Sequence, residues 1–108
     1  MPLAATISCF IEASNARNLG AALACFAADA IVEDEGETHR GLAAVRAWKK
    51  ATEDRFRYTI EPSGFERRSE SETVVTATLA GDFPGSPVEL EYDFTLRDDA
   101  IEALRIHP

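Results

Sequence analysis

The chain has 108 residues, which is enough for one domain with a single core and too few for two. Hydrophobic residues make up 45% of it and charged residues 28%, a balance typical of a folded globular protein and too apolar for a disordered one. The 19 acidic residues outnumber the 11 basic ones, for a formal net charge of -8, and no dense basic cluster interrupts this surplus. Nucleic acids and anionic membranes are therefore poor candidate partners.

The lack of a recognisable targeting signal and the predicted places of the two cysteines both favour a reducing compartment. The first basic residue is Arg17, and no apolar run approaches the ~18 residues that a membrane helix needs. We therefore expect a cytoplasmic protein. Cys9 and Cys25 fall on predicted helices, and we interpret both as reduced, buried core thiols; a disulfide between the two helices is the alternative.

Three helices are predicted in the first half of the chain. Apolar residues at i, i+4, i+7 and i+8 predict helix one over 3–15. Asn18 is a good N-cap for helix two, over 19–27. Helix three begins at Leu42 and runs to about Asp54. Its apolar stripe consists of Leu42, Val45 and Trp48, and its opposite, polar side consists of Arg46, Lys49, Lys50 and Glu53.

Strands make up the rest of the predicted fold. Residues 30–35 predict a short strand on which Asp34 shares a face with Val32, and residues 37–41 predict a polar loop. After helix three only strands follow. They are predicted over 56–61, 65–68, 73–80, 88–97 and 100–107, with a bend or bulge at 62–64.

The strand over 88–97 shows the clearest alternation in the chain. It predicts that Tyr92 and Phe94 point inward and that Glu89, Glu91 and Asp93 point outward. An antiparallel meander with the helices segregated to one face is an α+β domain, which would span residues 1–108.

Residues 26–34, FAADAIVED, and the helix opened by Gly41 that carries Val45 and Trp48 resemble the signature of nuclear transport factor 2-like (SnoaL-like) proteins. The resemblance covers nearly the whole chain. It implies a cone of three N-terminal helices packed on a curved antiparallel sheet, with a central pocket. This scaffold serves isomerases, polyketide cyclases, dehydratases, epoxide hydrolases, transport factors and non-catalytic dimerising modules, so the fold alone does not select a function.

Ketosteroid isomerase offers the nearest catalytic pattern within this resemblance. In that enzyme an Asp base faces an oxyanion hole formed by a Tyr and a protonated Asp. Asp34 falls at the position of the base. Phe10 replaces the tyrosine, however, and Tyr92 stands at the position of the protonated Asp. Both members of the oxyanion hole are altered, so steroid isomerisation does not carry over.

Asp34 and Tyr92 are therefore the candidate catalytic residues, Asp34 as a general base and Tyr92 as a hydroxyl donor. A strand-end Asp that binds the backbone of the Gly36 turn is the alternative for Asp34. The candidate ligand-binding residues are Phe10, Trp48, Tyr58, Phe94 and His39. For Tyr58 and Trp48 a core role is the alternative, and for His39 the alternative is exposure in a polar loop.

No metal or cofactor is predicted. The histidines and cysteines lack metal-ligand spacings, and there is no Gly-rich phosphate loop, no Gly-x-Ser-x-Gly elbow and no Cys-x-x-Cys pair. Two classes of function remain. The first is a site for a small apolar, carbonyl-bearing molecule, with or without isomerase, cyclase or dehydratase chemistry. The second is a dimerising or protein-binding module whose interior is filled by side chains.

A homodimer is expected from the alternation of the late strands and from the resemblance, because nuclear transport factor 2-like proteins commonly pair through the outer face of the sheet. The outward carboxylates Glu89, Glu91 and Asp93 would then need basic partners, because unpaired buried charges are costly. The candidates for that role are Arg57, Arg67 and Arg97.

Overall fold

The computed structural model describes residues 3–108 and confirms the α+β class, with helices packed on a curved sheet. None of the helices in this part of the chain is long and apolar enough to cross a membrane. In chain order the elements are α1 (Ala5–Asn15), α2 (Leu19–Leu23), β1 (Phe26–Asp34), β2 (Glu37–Arg40), α3 (Leu42–Arg55), β3 (Tyr58–Arg67), β4 (Glu72–Gly81), β5 (Val88–Arg97) and β6 (Ala100–His107).

The six strands form one sheet in the order β2-β1-β6-β5-β4-β3. Every pairing is antiparallel except that of β1 with β6, which is parallel. The prediction of an antiparallel sheet was therefore wrong, and the sheet is mixed. The reason is topological: α3 carries the chain from β2 at one edge to β3 at the other, and the meander from β3 to β6 then returns to the middle beside β1.

The second helix is shorter than its apolar spacing predicts. It ends at Leu23, and Phe26 already belongs to β1. Phe26 pairs with Ile101 of β6, and the Ile101 N–H donates to the carbonyl of Cys25 at 2.8 Å. Backbone pairing within the sheet has overridden a helical periodicity that Phe26 continued only by coincidence.

The predicted polar loop over 37–41 contains β2 instead. Glu35 and Gly36 both have positive φ angles, 52° and 78°, which is the pattern of a two-residue type I′ hairpin turn. This turn folds β2 back onto β1, so that Asp34 pairs with Glu37. A polar edge strand has no apolar alternation, so the sequence carried little signal for it.

The bend predicted at 62–64 is a β-bulge within one continuous strand, β3. The register shifts between Pro62 and Gly64, and β3 lies at the edge of the sheet. A proline cannot donate to a strand ladder, so an edge strand with a bulge is where it fits.

The core lies between the helices and the inner face of the sheet. Phe10 of α1 packs edge-on against Phe26 and Phe94, with ring centroids 5.5 and 5.7 Å away. Trp48 is buried, as its helical stripe predicts.

Cys9 is exposed, so its predicted core role was wrong: it neighbours Phe10, and only Phe10 points inward. Cys25 is half-buried against the core, and both thiols are free.

Asn15, the last residue of α1, joins the helix to the sheet. Its side-chain Nδ2 donates to the carbonyl of Ile60 at 2.9 Å, and its Oδ1 accepts from the Ile60 N–H at 2.7 Å. The amide thus pairs with β3 as a neighbouring strand would, which fixes α1 over the inner face of the sheet.

Candidate functional site

A cavity of about 170 Å³ lies between α1, α3 and the inner face of the sheet. An engineered apolar cavity of ~150 Å³ holds benzene, so this space suits a single ring or a short chain. Apolar side chains make up most of the wall: Phe10, Trp48, Ile60, Leu79, Val88, Leu90 and Ile106. The polar groups that reach it include Asp34, Lys49, Thr52, Tyr58 and Tyr92.

Asp34 occupies the last position of β1, immediately before the type I′ turn. It is half-buried and lines the cavity. The indole Nε1–H of Trp48 donates to its Oδ2 at 3.0 Å. The hydrogen bond that orients this carboxylate therefore comes from α3 rather than from the backbone of the Gly36 turn.

Tyr92 and Tyr58 bring two phenol groups to the same cavity. Burial raises the pKa of Tyr92 well above its usual value, and the neighbouring Tyr58 and Asp34 raise it further. Burial also raises the pKa of Tyr58 to about 12, with added contributions from Glu53 and Asp34. Both phenols therefore keep their protons at neutral pH and can donate hydrogen bonds to a ligand oxygen.

The remaining predicted ligand-binding residues occupy three different places. Phe10 and Trp48 line the cavity, whereas Phe94 is fully buried behind the wall, stacked on Tyr92 with ring centroids 6.2 Å apart. His39 lies on β2, half-buried, with its ring centroid 6.3 Å from that of Trp48. It lines a smaller depression, of about 120 Å³, that shares Asp34 with the cavity.

Lys49 also belongs to the site, although its predicted position is a different one. It was predicted on the solvent side of helix three, but it is 1% exposed and lines the cavity. Lys49 follows Val45 by four residues, so the two share the buried face of α3, and this spacing could have revealed it. Its Nζ lies 5.2, 5.9 and 6.0 Å from the ring centroids of Phe10, Trp48 and Tyr58.

Glu53, one turn further along α3, is buried as well and was also predicted on the exposed side. Its Oε2 lies 3.7 Å from Lys49 Nζ, a long contact for an ion pair. Within residues 3–108 this buried oxygen has no hydrogen-bond partner. A buried cation and a buried carboxylate thus face each other without the close hydrogen bonding that usually offsets desolvation.

Burial lowers the pKa of Lys49 from 10.5 to about 8. Glu53 opposes this shift, Arg17 adds to it, and Asp34 opposes it weakly. Arg17 is close because its guanidinium donates to the carbonyls of Glu53 and Phe56, capping the end of α3. At pH 8 about half of the Lys49 amine is therefore neutral.

Two aromatic residues of the wall were not singled out from the sequence. Phe56 and Phe83 pack edge-on, with ring centroids 5.9 Å apart, and both are partly exposed, as is Glu35 nearby. The cavity therefore opens on this side. Phe83 lies in the loop between β4 and β5, where no periodicity could have indicated its direction.

Among residues 3–108, no group of three or more His, Cys, Asp or Glu side chains is placed to hold a metal ion.

Comparison with known proteins places the chain in a structural context. The family model of the SnoaL-like domain matches residues 7–102. A candidate polyketide cyclase from Sinorhizobium meliloti is 35% identical, with 97% of this chain and 95% of that chain covered and a TM-score of 0.93. The comparison with curated proteins gives no match.

Two further solved structures show a likeness of fold. A hypothetical protein with a ketosteroid isomerase-like fold from Catenulispora acidiphila, in complex with trimethylamine, is 18% identical, with 99% of this chain and 87% of that chain covered and a TM-score of 0.85. A candidate polyketide cyclase from Pseudomonas putida is 18% identical, with 100% and 92% covered and a TM-score of 0.87.

Proposed function

The chain belongs to the family of SnoaL-like domains, as the resemblance of residues 26–34 implied, and on that premise we propose that it binds a small, largely apolar carbonyl compound and moves a proton on it. The observation that carries this proposal is the cavity, into which a carboxylate oriented by Trp48 and two protonated phenols converge. An interior filled with side chains, as expected of a purely dimerising module, would have left no such space. Isomerase, cyclase and dehydratase chemistry all include a step of this kind.

In the proposed step, Asp34 takes a proton from the carbon next to the carbonyl. Negative charge then develops on the carbonyl oxygen, and the stabilisation of that charge usually contributes more to the rate than any other single effect. Tyr92 and Tyr58 supply protonated donors in the same cavity, which offsets the absence of a phenol at Phe10.

The size of the cavity narrows the ligand class. About 170 Å³ suits a compound of one ring, so a four-ring steroid would leave most of its surface outside. We therefore assign monocyclic or short-chain ketones and aldehydes to the site, in agreement with the altered oxyanion hole.

Hydrogen–deuterium exchange tests the proton step without knowledge of the natural substrate. Cyclohexanone in D₂O is followed by NMR, and we expect the protein to accelerate exchange of the protons next to the carbonyl. Asp34→Asn should lower this rate about 10²-fold or more, the usual contribution of a general base. Glu33→Gln changes a carboxylate on the same strand that pairs with Arg105 instead, and should leave the rate unchanged. Equal rates for Asp34→Asn and the wild type would remove Asp34 as the base.

We also propose that the protein is a cytoplasmic homodimer paired through the outer face of the sheet. Glu72 and Asp93 lie together on that face, and a hydrogen bond to Asp93 raises the pKa of Glu72. Asp93 Oδ1 is buried without a hydrogen-bond partner within residues 3–108, which is the kind of group that a partner's cation could satisfy. Arg97 is engaged by Asp29 and Glu102 of its own chain, so Arg57 is the better candidate for that cation.

A further inference from the structure

We propose that Lys49 is a nucleophilic amine that forms an imine with small aldehydes in the cavity, which makes monocyclic and short-chain aldehydes a substrate class of this protein. The inference deepens the proposed function and rests on it only in that both place a carbonyl compound in the same cavity. It requires no action by Asp34.

The position of Lys49 is the first support. Lys49 is almost fully buried, and its Nζ lies within about 6 Å of three aromatic rings that all line the cavity, those of Phe10, Trp48 and Tyr58. A one-ring aldehyde packed among these side chains would bring its carbonyl carbon to the amine.

The charges around Lys49 are the second support. Four elements or loops bring titratable groups toward it: Glu53 from α3, Arg17 from the segment after α1, Asp34 from β1 and Tyr58 from β3. Burial outweighs the two carboxylates and favours the neutral amine. A lysine desolvated in an apolar pocket is the usual form of a Schiff-base nucleophile, because only the neutral amine has a free electron pair.

The reaction balances with groups already present. The electron pair of the neutral Lys49 amine attacks the carbonyl carbon, so a C–N bond forms as the C=O π bond breaks, and one N–H proton moves to the oxygen to give a carbinolamine. The C–O bond then breaks, and the oxygen leaves as water with the second N–H proton, so aldehyde and amine become imine and water. Glu53, whose Oε2 lies 3.7 Å from Nζ and has no hydrogen-bond partner within residues 3–108, is placed to carry these protons.

The chain offers a matched test because it contains only two lysines, Lys49 and Lys50. They are adjacent on α3, but the Lys50 side chain is 55% exposed and pairs with Asp54. The protein is incubated with benzaldehyde and cyanoborohydride at pH 8, and reduction of the imine leaves a stable benzyl group that peptide fragmentation assigns to one lysine. We expect labelling of Lys49 at least roughly tenfold faster than of Lys50, because burial lowers the pKa of Lys49 to about 8 and so increases the neutral, nucleophilic form of its amine at this pH.

Three variants and one non-reactive ligand distinguish failure of the imine proposal from failure of the proposed function. Lys50→Arg should keep the fast labelling, and both Lys49→Arg and Lys49→Met should lose it, so the result does not depend on one variant folding. Benzyl alcohol, which cannot form an imine, is titrated in parallel against the fluorescence of Trp48, the single tryptophan of the chain. Binding of benzyl alcohol with no preference for Lys49 would overturn the imine proposal and leave the proposed function standing. If benzyl alcohol fails to bind and no label appears, both proposals fall.

Discussion

A lysine in an aromatic cavity has an energetic cost that should be visible as a function of pH. The pKa of Lys49 is about 8 in the folded protein and 10.5 in the absence of burial, so between these values the unfolded chain holds more protons than the folded one. The free energy of unfolding therefore rises with pH across this window. Of the full shift of ~3 kcal/mol, ~2 kcal/mol should appear between pH 7 and 9.5.

Urea unfolding at a series of pH values in that range measures this gain. The control is Lys49→Met combined with Glu53→Gln, because the first change alone would leave a buried carboxylate without its cation. The double variant should show none of the rise. The measurement stops below the ordinary tyrosine pKa of ~10, because the raised pKa values of Tyr58 and Tyr92 act in the opposite direction above it. A stability that is flat from pH 7 to 9.5 in the wild type would contradict the burial of Lys49 as a cation.

Some residues of the cavity can be predicted from the sequence, and others cannot. The strand alternation of β1 and the helical stripe of α3 place Asp34 and Trp48 at the cavity. Lys49 is predicted on the polar side of α3 together with Arg46 and Lys50, but it lies on the buried face, four residues after Val45. A charged side chain is almost never fully buried unless it is paired, and only the packed structure shows the rings and Glu53 that surround it.

At the level of elements, a single amide supplies two hydrogen bonds between α1 and β3. The side chain of Asn15 both donates to and accepts from the backbone of Ile60. Asn15→Ala would leave those two backbone groups without partners, and we expect a loss of stability of ~1–3 kcal/mol. Asn15→Asp keeps the acceptor but places a carboxylate oxygen against the Ile60 carbonyl oxygen, so we expect it to be destabilising as well. Thermal and urea unfolding measure both, and equal stability of Asn15→Ala and the wild type would show that the helix is held by packing alone.

The elements differ in how clearly the sequence predicts them. The apolar residues of β5 and α1 predict these elements clearly. Each element turns one face toward the core, and the apolar residues of the sequence lie on that face. The edge strand β2 buries little and carries no pattern. The start of β1 was hidden because Phe26 satisfies a helical spacing and a strand pairing equally well, and a distant strand decided between them.

At the scale of the whole molecule, association through the sheet can be measured directly. Light scattering over a wide range of concentrations should give the mass of a dimer, and Arg57→Glu should weaken the dimer by placing a carboxylate opposite Glu72 and Asp93 of the partner. Lys50→Glu makes the same charge change on a helix away from the outer face and should leave the mass unchanged. A monomer at every concentration would remove the proposed dimer and leave the ligand site unaffected.

The parallel pairing of β1 with β6 also bears on how the protein is made. Residues 26–34 are synthesised well before residues 100–107, which are their neighbour in the sheet. Until that strand arrives, β1 and β2 form only a hairpin, which is marginal in water on its own. Before then, β1 and Asp34 cannot be joined to the part of the cavity wall that β3, β4 and β5 supply. The site is therefore completed only once residues 100–107 have been made, and a nascent chain stalled before residue 100 should bind no ligand.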